Sequence, residues 1–293
     1  MNNMINFQII RQVLNRKAVN LQSLDFIFRE LATRVISRLD YIKIKPNIIL
    51  ECGSGLGFDR ELLSKRFQDA SIIEMDVAIE ILKQHNSKTH SLVNLFRRTA
   101  KRNLICGDAQ SLPIATSSVD FAYSNLLLPY LADVSQYIRE MERILKVGGA
   151  FCIAGFGVDT FKEIREMGFA TYTFPDMHDI GDMLLARGFS NPVVDTEYIT
   201  LQYDDLKTLL ADIRLIGCGA AINTNDRKIV AKSRIHALGE KFSPADLGQF
   251  TVSPIEPLKL TLEMFVAHGW KDKVTLDLPK GQSVINFMPK RKA

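Results

Sequence analysis

Two periods of apolar spacing divide the chain. Between residues 8 and 40, Ile9, Val13, Leu24, Ile27, Phe28, Leu31, Val35, Ile36 and Leu39 recur at helical spacing in two segments, as in amphipathic helices. From Ile48 to about Gly157, short apolar runs alternate with helix-like stretches. The first run begins at Ile48, enters a glycine-rich turn and continues into a helix over Phe58–Phe67. Ala70–Met75 reads as a second strand ending at Asp76. A third begins at Asn103 and ends at Asp108; a fourth covers Ser118–Leu126 and a fifth Ala150–Gly155. Ile138–Gly149 reads as a helix closed by its glycines. This alternation predicts an α/β fold with a doubly wound, mostly parallel sheet. Further on, Asp179–Arg187 reads as a helix stopped at Gly188, and Val193–Tyr203 as a sixth strand. Asp204–Ile216 and Asp226–Leu238 read as amphipathic helices, and Leu258–Val266 as the last strand. The expected organisation is a helical cap over 1–40, a core over 41–203, a helical insertion over 204–257, a last core strand within 258–271, and a loose tail over 272–293.

The first turn carries chemistry. Glu51, Gly53, Gly55 and Gly57 are spaced E-x-G-x-G-x-G. Without a Cβ, glycine lets the backbone turn off the strand and lets a ligand lie against it. The dinucleotide fingerprint would be G-x-G-x-x-G opening onto a pyrophosphate, which this spacing does not match. It resembles instead motif I of S-adenosylmethionine methyltransferases, whose cofactor has no phosphate. Asp76 lies 19 residues after Gly57. An acid ending the second strand can accept both ribose hydroxyls; a helix N-cap or a surface acid is the plainer alternative. Asp108 could accept from an adenine amino group while the Ala109 N–H meets the ring. Ser124 and Asn125 end the fourth strand, at the edge where open α/β sheets bind ligands.

Composition narrows the class. The 293 residues are 46% apolar and 24% charged, ordinary for a globular protein with a substantial core. No run of ~18 apolar residues suggests a membrane span, and the first residues do not read as a signal peptide. The four cysteines, Cys52, Cys106, Cys152 and Cys218, form no C-x-x-C pair. Buried free thiols in a cytoplasmic protein are expected, and no metal site. A net charge of +4 does not by itself imply nucleic-acid binding. Arg97, Arg98, Lys101 and Arg102 cluster, as do Arg227, Lys228, Lys232 and Arg234. These are solvated faces or a docking patch for an acidic partner. A monomer is expected.

Longer stretches resemble one family. Leu14-Asn15-Arg16-Lys17-Ala18 is similar to the F-[DN]-R-x-A opening of the BioC family of malonyl-acyl carrier protein O-methyltransferases. Gly155–Arg165 resembles its segment after strand five, and Phe174–Leu184 its F-x-D-M-H-D-L-G-D-x-L helix start. Leu215–Asn223 is similar to its G-x-G-A-x-N turn, and Pro257–Trp270 to its closing P-L-x-x-T-Y-E-V-x-Y-G-H-A-W. The resemblance spans roughly 14–271. It implies a Rossmann-like class I fold with a seven-stranded sheet. It also implies S-adenosylmethionine as cofactor, and methylation of the free carboxyl of malonyl-acyl carrier protein at the pimeloyl stage of biotin synthesis. The implied cofactor set is Arg16, Glu51, Gly53, Ser54, Gly55, Gly57, Asp76, Val77, Asp108, Ala109, Gln110 and Asn125. A related branch, a complex I assembly factor, keeps arginine modification, another small acid, or an assembly role with little turnover as alternatives. The chain departs from the pattern at Leu14, at Leu128-Pro129-Tyr130 where L-x-W is usual, and in the short segment Glu166–Thr173.

Methyl transfer to a carboxylate needs no general base, because the acceptor is ionised at neutral pH. The protein must position the acceptor and exclude water. Arg165 could hold the malonyl carboxylate bidentately, or pair with Glu166 or Asp159 on a helix surface. Tyr130 sits just past the fourth strand, near the expected methyl, or else packs in the following helix. His178 reads as part of a cap with Asp176 and Asp179 rather than as a base. His268 and Trp270 are expected to pack in the last strand.

Overall fold

The computed structural model describes residues 7–17, 25–87, 102–166, 173–216 and 258–272. Seven strands form one sheet: β1 (Ile48–Cys52), β2 (Ser71–Asp76), β3 (Asn103–Cys106), β4 (Val119–Asn125), β5 (Leu145–Phe156), β6 (Ser190–Tyr203) and β7 (Leu258–Trp270). Their order is β3-β2-β1-β4-β5-β7-β6. The first five run parallel, and β7 is antiparallel to both β5 and β6. From β1 the chain winds outward to β2 and β3, then returns to β4 on the other side. The carboxyl ends of β1 and β4 therefore flank a topological switch point, where such sheets bind ligands.

Strand alternation splits the core into two layers. Ile49, Phe121, Tyr123, Cys152 and Val266 face α2 (Asp25–Arg38), whose Ile27, Leu31 and Val35 are buried against them. Leu50, Ala122, Phe151, Ile153 and Phe265 face the other way. There they meet Tyr137, Ile138 and Met141 of α5 (Val134–Ile144) and Ile180 and Leu184 of α7 (Met177–Ala186). Close approach is needed at Gly155: a Cβ there would stand 2.9 Å from the ring of Phe265 on β7. A third cluster joins α1 (Phe7–Lys17), α3 (Phe58–Arg66) and α4 (Ile79–Ser87) through Ile10, Leu14, Leu56, Phe58, Ala78 and Ile81. Helices α6 (Lys162–Glu166) and α8 (Leu206–Ile216) complete the described set.

Several boundaries differ from the sequence reading. The helix expected over Ile138–Gly149 starts at Val134, capped by Asp133, which accepts from Gln136 N at 3.0 Å, and ends at Ile144. Strand β5 begins directly at Leu145. Gly148 and Gly149 do not close a helix; they form a bulge in β5. Val119 pairs with Leu145, but Phe121 pairs with Ala150. Gly148 takes φ +83°, and a Cβ on Gly149 would stand 3.0 Å from Asp120 O. The third strand stops at Cys106, so Asp108 lies in the turn beyond it. The last strand runs past Val266 to Trp270. Cys52 and Cys152 are buried free thiols as expected, but Cys106 is exposed. The expected helix over Asp226–Leu238, the basic cluster within it and Cys218 lie outside the described residues.

Candidate functional site

A cavity of about 1030 Å³, including its open mouth, lies at the carboxyl ends of β1, β2 and β4. Its walls come from the first two helices, through Ile10, Leu14 and Phe28, and from Leu126, Leu127 and Tyr130 after β4. The turn after β1 forms its base. Gly53, Gly55 and Gly57 have φ of +76°, +50° and +77°, a backbone region where side chains are strained. Gly53 and Gly55 differ in surroundings. A Cβ on Gly53 would press on Leu127 Cδ1 at 3.0 Å, whereas one on Gly55 would meet nothing closer than 4.0 Å. Space is therefore left over Gly55, on the cavity side of the turn.

Asp76 fastens this turn to β2. It is 7% exposed; Gly55 N donates to its Oδ2 at 3.1 Å and Ala78 N to its Oδ1 at 2.8 Å. Each oxygen can accept further donors, and the residue lines the cavity together with Val77. Asp108 and Ala109 line the opposite wall, with Asp108 Oδ1 accepting from Gln110 N at 2.8 Å. Ser54 and Asn125 also line it. Ser54 Oγ and Asn125 Oδ1 are buried without a hydrogen-bond partner. Such orphaned acceptors are costly unless a ligand or water meets them. An open glycine cradle and unmatched buried polar atoms suit a ligand carrying an amino acid group and a ribose, as S-adenosylmethionine does.

The acidic residues beneath the cavity are strongly perturbed. Glu51 pairs in register with Glu74 on β2 and with Tyr123 on β4, so period-2 geometry points all three to one face. Glu51 is 2% exposed, and neither carboxylate oxygen has a partner. Burial, then the charges of Asp59 and Glu74, push its carboxyl well above the usual range, against Arg102 and Arg60. Asp59, in the first turn of α3, lines the cavity; Tyr123 Oη and Asn125 Nδ2 both donate to its Oδ1. Burial raises its carboxyl too, less fully because those donors oppose it. Burial pushes the Cys52 thiol well up, which keeps it protonated.

Most of the expected set comes together here, with exceptions. Gly53, Ser54, Gly55, Asp76, Val77, Asp108, Ala109, Asn125 and Tyr130 line the cavity. Gly57 heads α3 one turn behind, and Glu51 lies beneath. Gln110 turns away: its Oε1 accepts from Asp133 N at 2.6 Å. Arg16 is exposed on α1 and is not in the lining. Arg165 is not in the lining either; its guanidinium donates to the carbonyls of Val158 and Thr160. These two contacts support the loop after β5 and use two of the five N–H donors of the guanidinium. Arg102, expected on a basic surface, instead pairs with buried Glu74. His178 is a cap residue: its N donates to Asp176 Oδ1 at 2.8 Å, and its ring is mostly exposed. Asp59 was not anticipated, since an acid in a first helical turn is ordinarily explained by the helix dipole. Its signal was its place directly after the glycine turn.

Among the described residues, no helix is long and apolar enough to cross a membrane, and no cluster of His, Cys, Asp or Glu suits a metal ion. A family described as "Methyltransferase domain" matches residues 50–153. The chain is similar to the malonyl-acyl carrier protein O-methyltransferase of Nitrosospira multiformis, 34% identical over 89% of this chain and 88% of the relative. It is also similar to that of a Methylovorus species, 30% identical over 96% and 94%. Among solved structures, the YcgJ protein of a Bacillus aligns with TM-score 0.57 at 17% identity, over 83% of this chain and all of that one. A Haemonchus contortus phosphoethanolamine N-methyltransferase holding S-adenosylmethionine aligns with TM-score 0.55 at 16% identity, over 89% and 60%. These likenesses confirm the class I methyltransferase fold. The chain is thus an S-adenosylmethionine-dependent methyltransferase that belongs to the malonyl-acyl carrier protein O-methyltransferase family.

Proposed function

We propose that this chain methylates the free carboxylate of malonyl-acyl carrier protein at the pimeloyl stage of biotin synthesis, releasing the methyl ester and S-adenosylhomocysteine. The observation that carries this reading is the likeness, along almost the whole chain, to relatives named for that reaction. The cavity supports it. The cofactor supplies an electrophilic methyl group on a sulfonium; the chain's own residues bind and orient. In this reading, the turn over Gly53–Gly57 carries the methionyl part. Asp76 and Val77 take the ribose, and Asp108 and Ala109 the adenine. Tyr130 stands at the acceptor side, where its hydroxyl reaches Ile216 O at 3.4 Å. The apolar wall of Ile10, Leu14, Phe28 and Leu127 excludes water from the reacting pair, which weakens hydration of the carboxylate. The acceptor is already ionised, so the site needs no base. Masking one carboxylate would let a diacid primer enter synthesis machinery suited to apolar chains. Acyl carrier protein is acidic, and basic surface groups would steer it.

Complementation tests the reading. Expression of this chain in a biotin-requiring strain lacking the malonyl methyltransferase step should restore growth without biotin. Growth that still requires biotin, with soluble protein present, would count against this substrate.

A further inference from the structure

The floor of the cavity has a surplus of acceptors. Asn125 uses its Nδ2 to donate to Asp59 Oδ1 at 3.0 Å, which leaves its own Oδ1 buried with no partner. Ser54, 3% exposed and lining the same cavity, leaves its Oγ unmatched. Both side-chain donors to Asp59, Tyr123 Oη and Asn125 Nδ2, fall on Oδ1. Its Oδ2 thus has no side-chain donor among the described residues. Among the described residues, no lysine, arginine or histidine is in the lining. Arg60 and Arg102, whose charges act on Glu51, are both paired to Glu74.

A carboxylate, an amide oxygen and a hydroxyl, with no cation beside them among the described lining residues, fit a ligand that brings both charge and several N–H donors. S-adenosylmethionine carries two cations. Its sulfonium has no hydrogen to donate, whereas its α-ammonium has three, the same inventory as a lysine head group. We propose that Asp59 and Asn125 together seat the α-ammonium of the methionyl group, with Asp59 as its charge partner and Tyr123 as the residue that holds Asp59 in place. Glu51 is the less suitable partner: it does not line the cavity, and it has no donor to stabilise an ionised form. Two neighbouring carboxyls disfavour double ionisation. Burial raises both carboxyls, and the donors from Tyr123 and Asn125 oppose that rise at Asp59 only.

The inference rests on the cofactor reading above, and ligand comparison keeps the two apart. Calorimetry on the full chain would use S-adenosylmethionine, S-adenosylhomocysteine and 5′-methylthioadenosine, which lacks the amino acid group. Asp59→Asn should weaken the first two by about tenfold or more, as expected for a charge-assisted contact. The same variant should leave methylthioadenosine within about twofold. Tyr123→Phe should show the same pattern with a smaller loss. Equal losses on all three ligands, or no loss on the first two, would overturn the proposal. A loss confined to S-adenosylmethionine would assign Asp59 to the sulfonium and overturn it as well. A wild-type chain that binds none of the three would overturn the cofactor reading, and this inference with it.

Discussion

Glu51 is where physics and sequence motif pull hardest against each other. It is an acid without a partner, 2% exposed, whose carboxyl is pushed well above the usual range by burial and by neighbouring acids. Its folded pKa lies above the unfolded value of about 4.3. The folded state therefore binds more protons than the unfolded state once pH exceeds that value, and stability is lost as pH rises toward the folded pKa. Glu51→Gln should stabilise the ligand-free protein at pH 8, where the raised carboxyl weighs most against the fold. The gain should shrink toward pH 5. Urea melts at both pH values check this, and a gain independent of pH would contradict it. Asp76 has partners where Glu51 has none: it accepts from the N–H groups of Gly55 and Ala78, and the ribose is expected to donate to it as well. Asp76→Ala should weaken S-adenosylmethionine binding more than tenfold, in line with about 1.5–3 kcal/mol for a charged hydrogen bond. Unchanged affinity by calorimetry would sink that assignment. Both residues were legible because the motif fixes them by spacing. Asp59 was not, since its importance comes from Tyr123 and Asn125, which lie more than sixty residues away in sequence and meet it only across the sheet.

At the scale of elements, the glycine turn shows how one residue can serve the ligand more than the fold. Gly55 has open space around a hypothetical Cβ, so a side chain there costs mainly the left-handed backbone, about 1–2 kcal/mol. Gly55→Val should therefore fold, with a lowered melting temperature, yet lose S-adenosylmethionine binding because its branches enter the cavity. A folded variant binding normally would remove the turn from the site. The strands and most helices were legible from apolar period. The helix before β5 was misread because Leu145-Lys146-Val147 continues an apolar pattern that either element could use. Only pairing with Val119 decides it. A glycine pair then reads equally well as a helix stop or as a bulge, and the close carbonyl of Asp120 makes it a bulge. The ends of β3 and β7 were set the same way, by pairing partners rather than by local composition.

For the whole molecule, the central claim is an acceptor that arrives already ionised. The chemical step should then stay nearly flat from about pH 6 to 8 in single-turnover experiments. A rate rising tenfold per pH unit would indicate an amine or hydroxyl acceptor requiring a base. The fold, the cofactor and the family were all legible in the glycine spacing and in the later motifs. The contacts that Arg165 makes with the carbonyls of Val158 and Thr160 were not, because they depend on how the loop after β5 folds back on its helix. The most direct measurement is mass spectrometry of malonyl-acyl carrier protein incubated with the purified chain and S-adenosylmethionine. The account predicts one methyl group added to the malonyl unit as a base-labile ester, with S-adenosylhomocysteine formed in equal amount. No methylation of the malonyl unit by a chain that binds S-adenosylmethionine, or methylation located on a protein side chain, would contradict it.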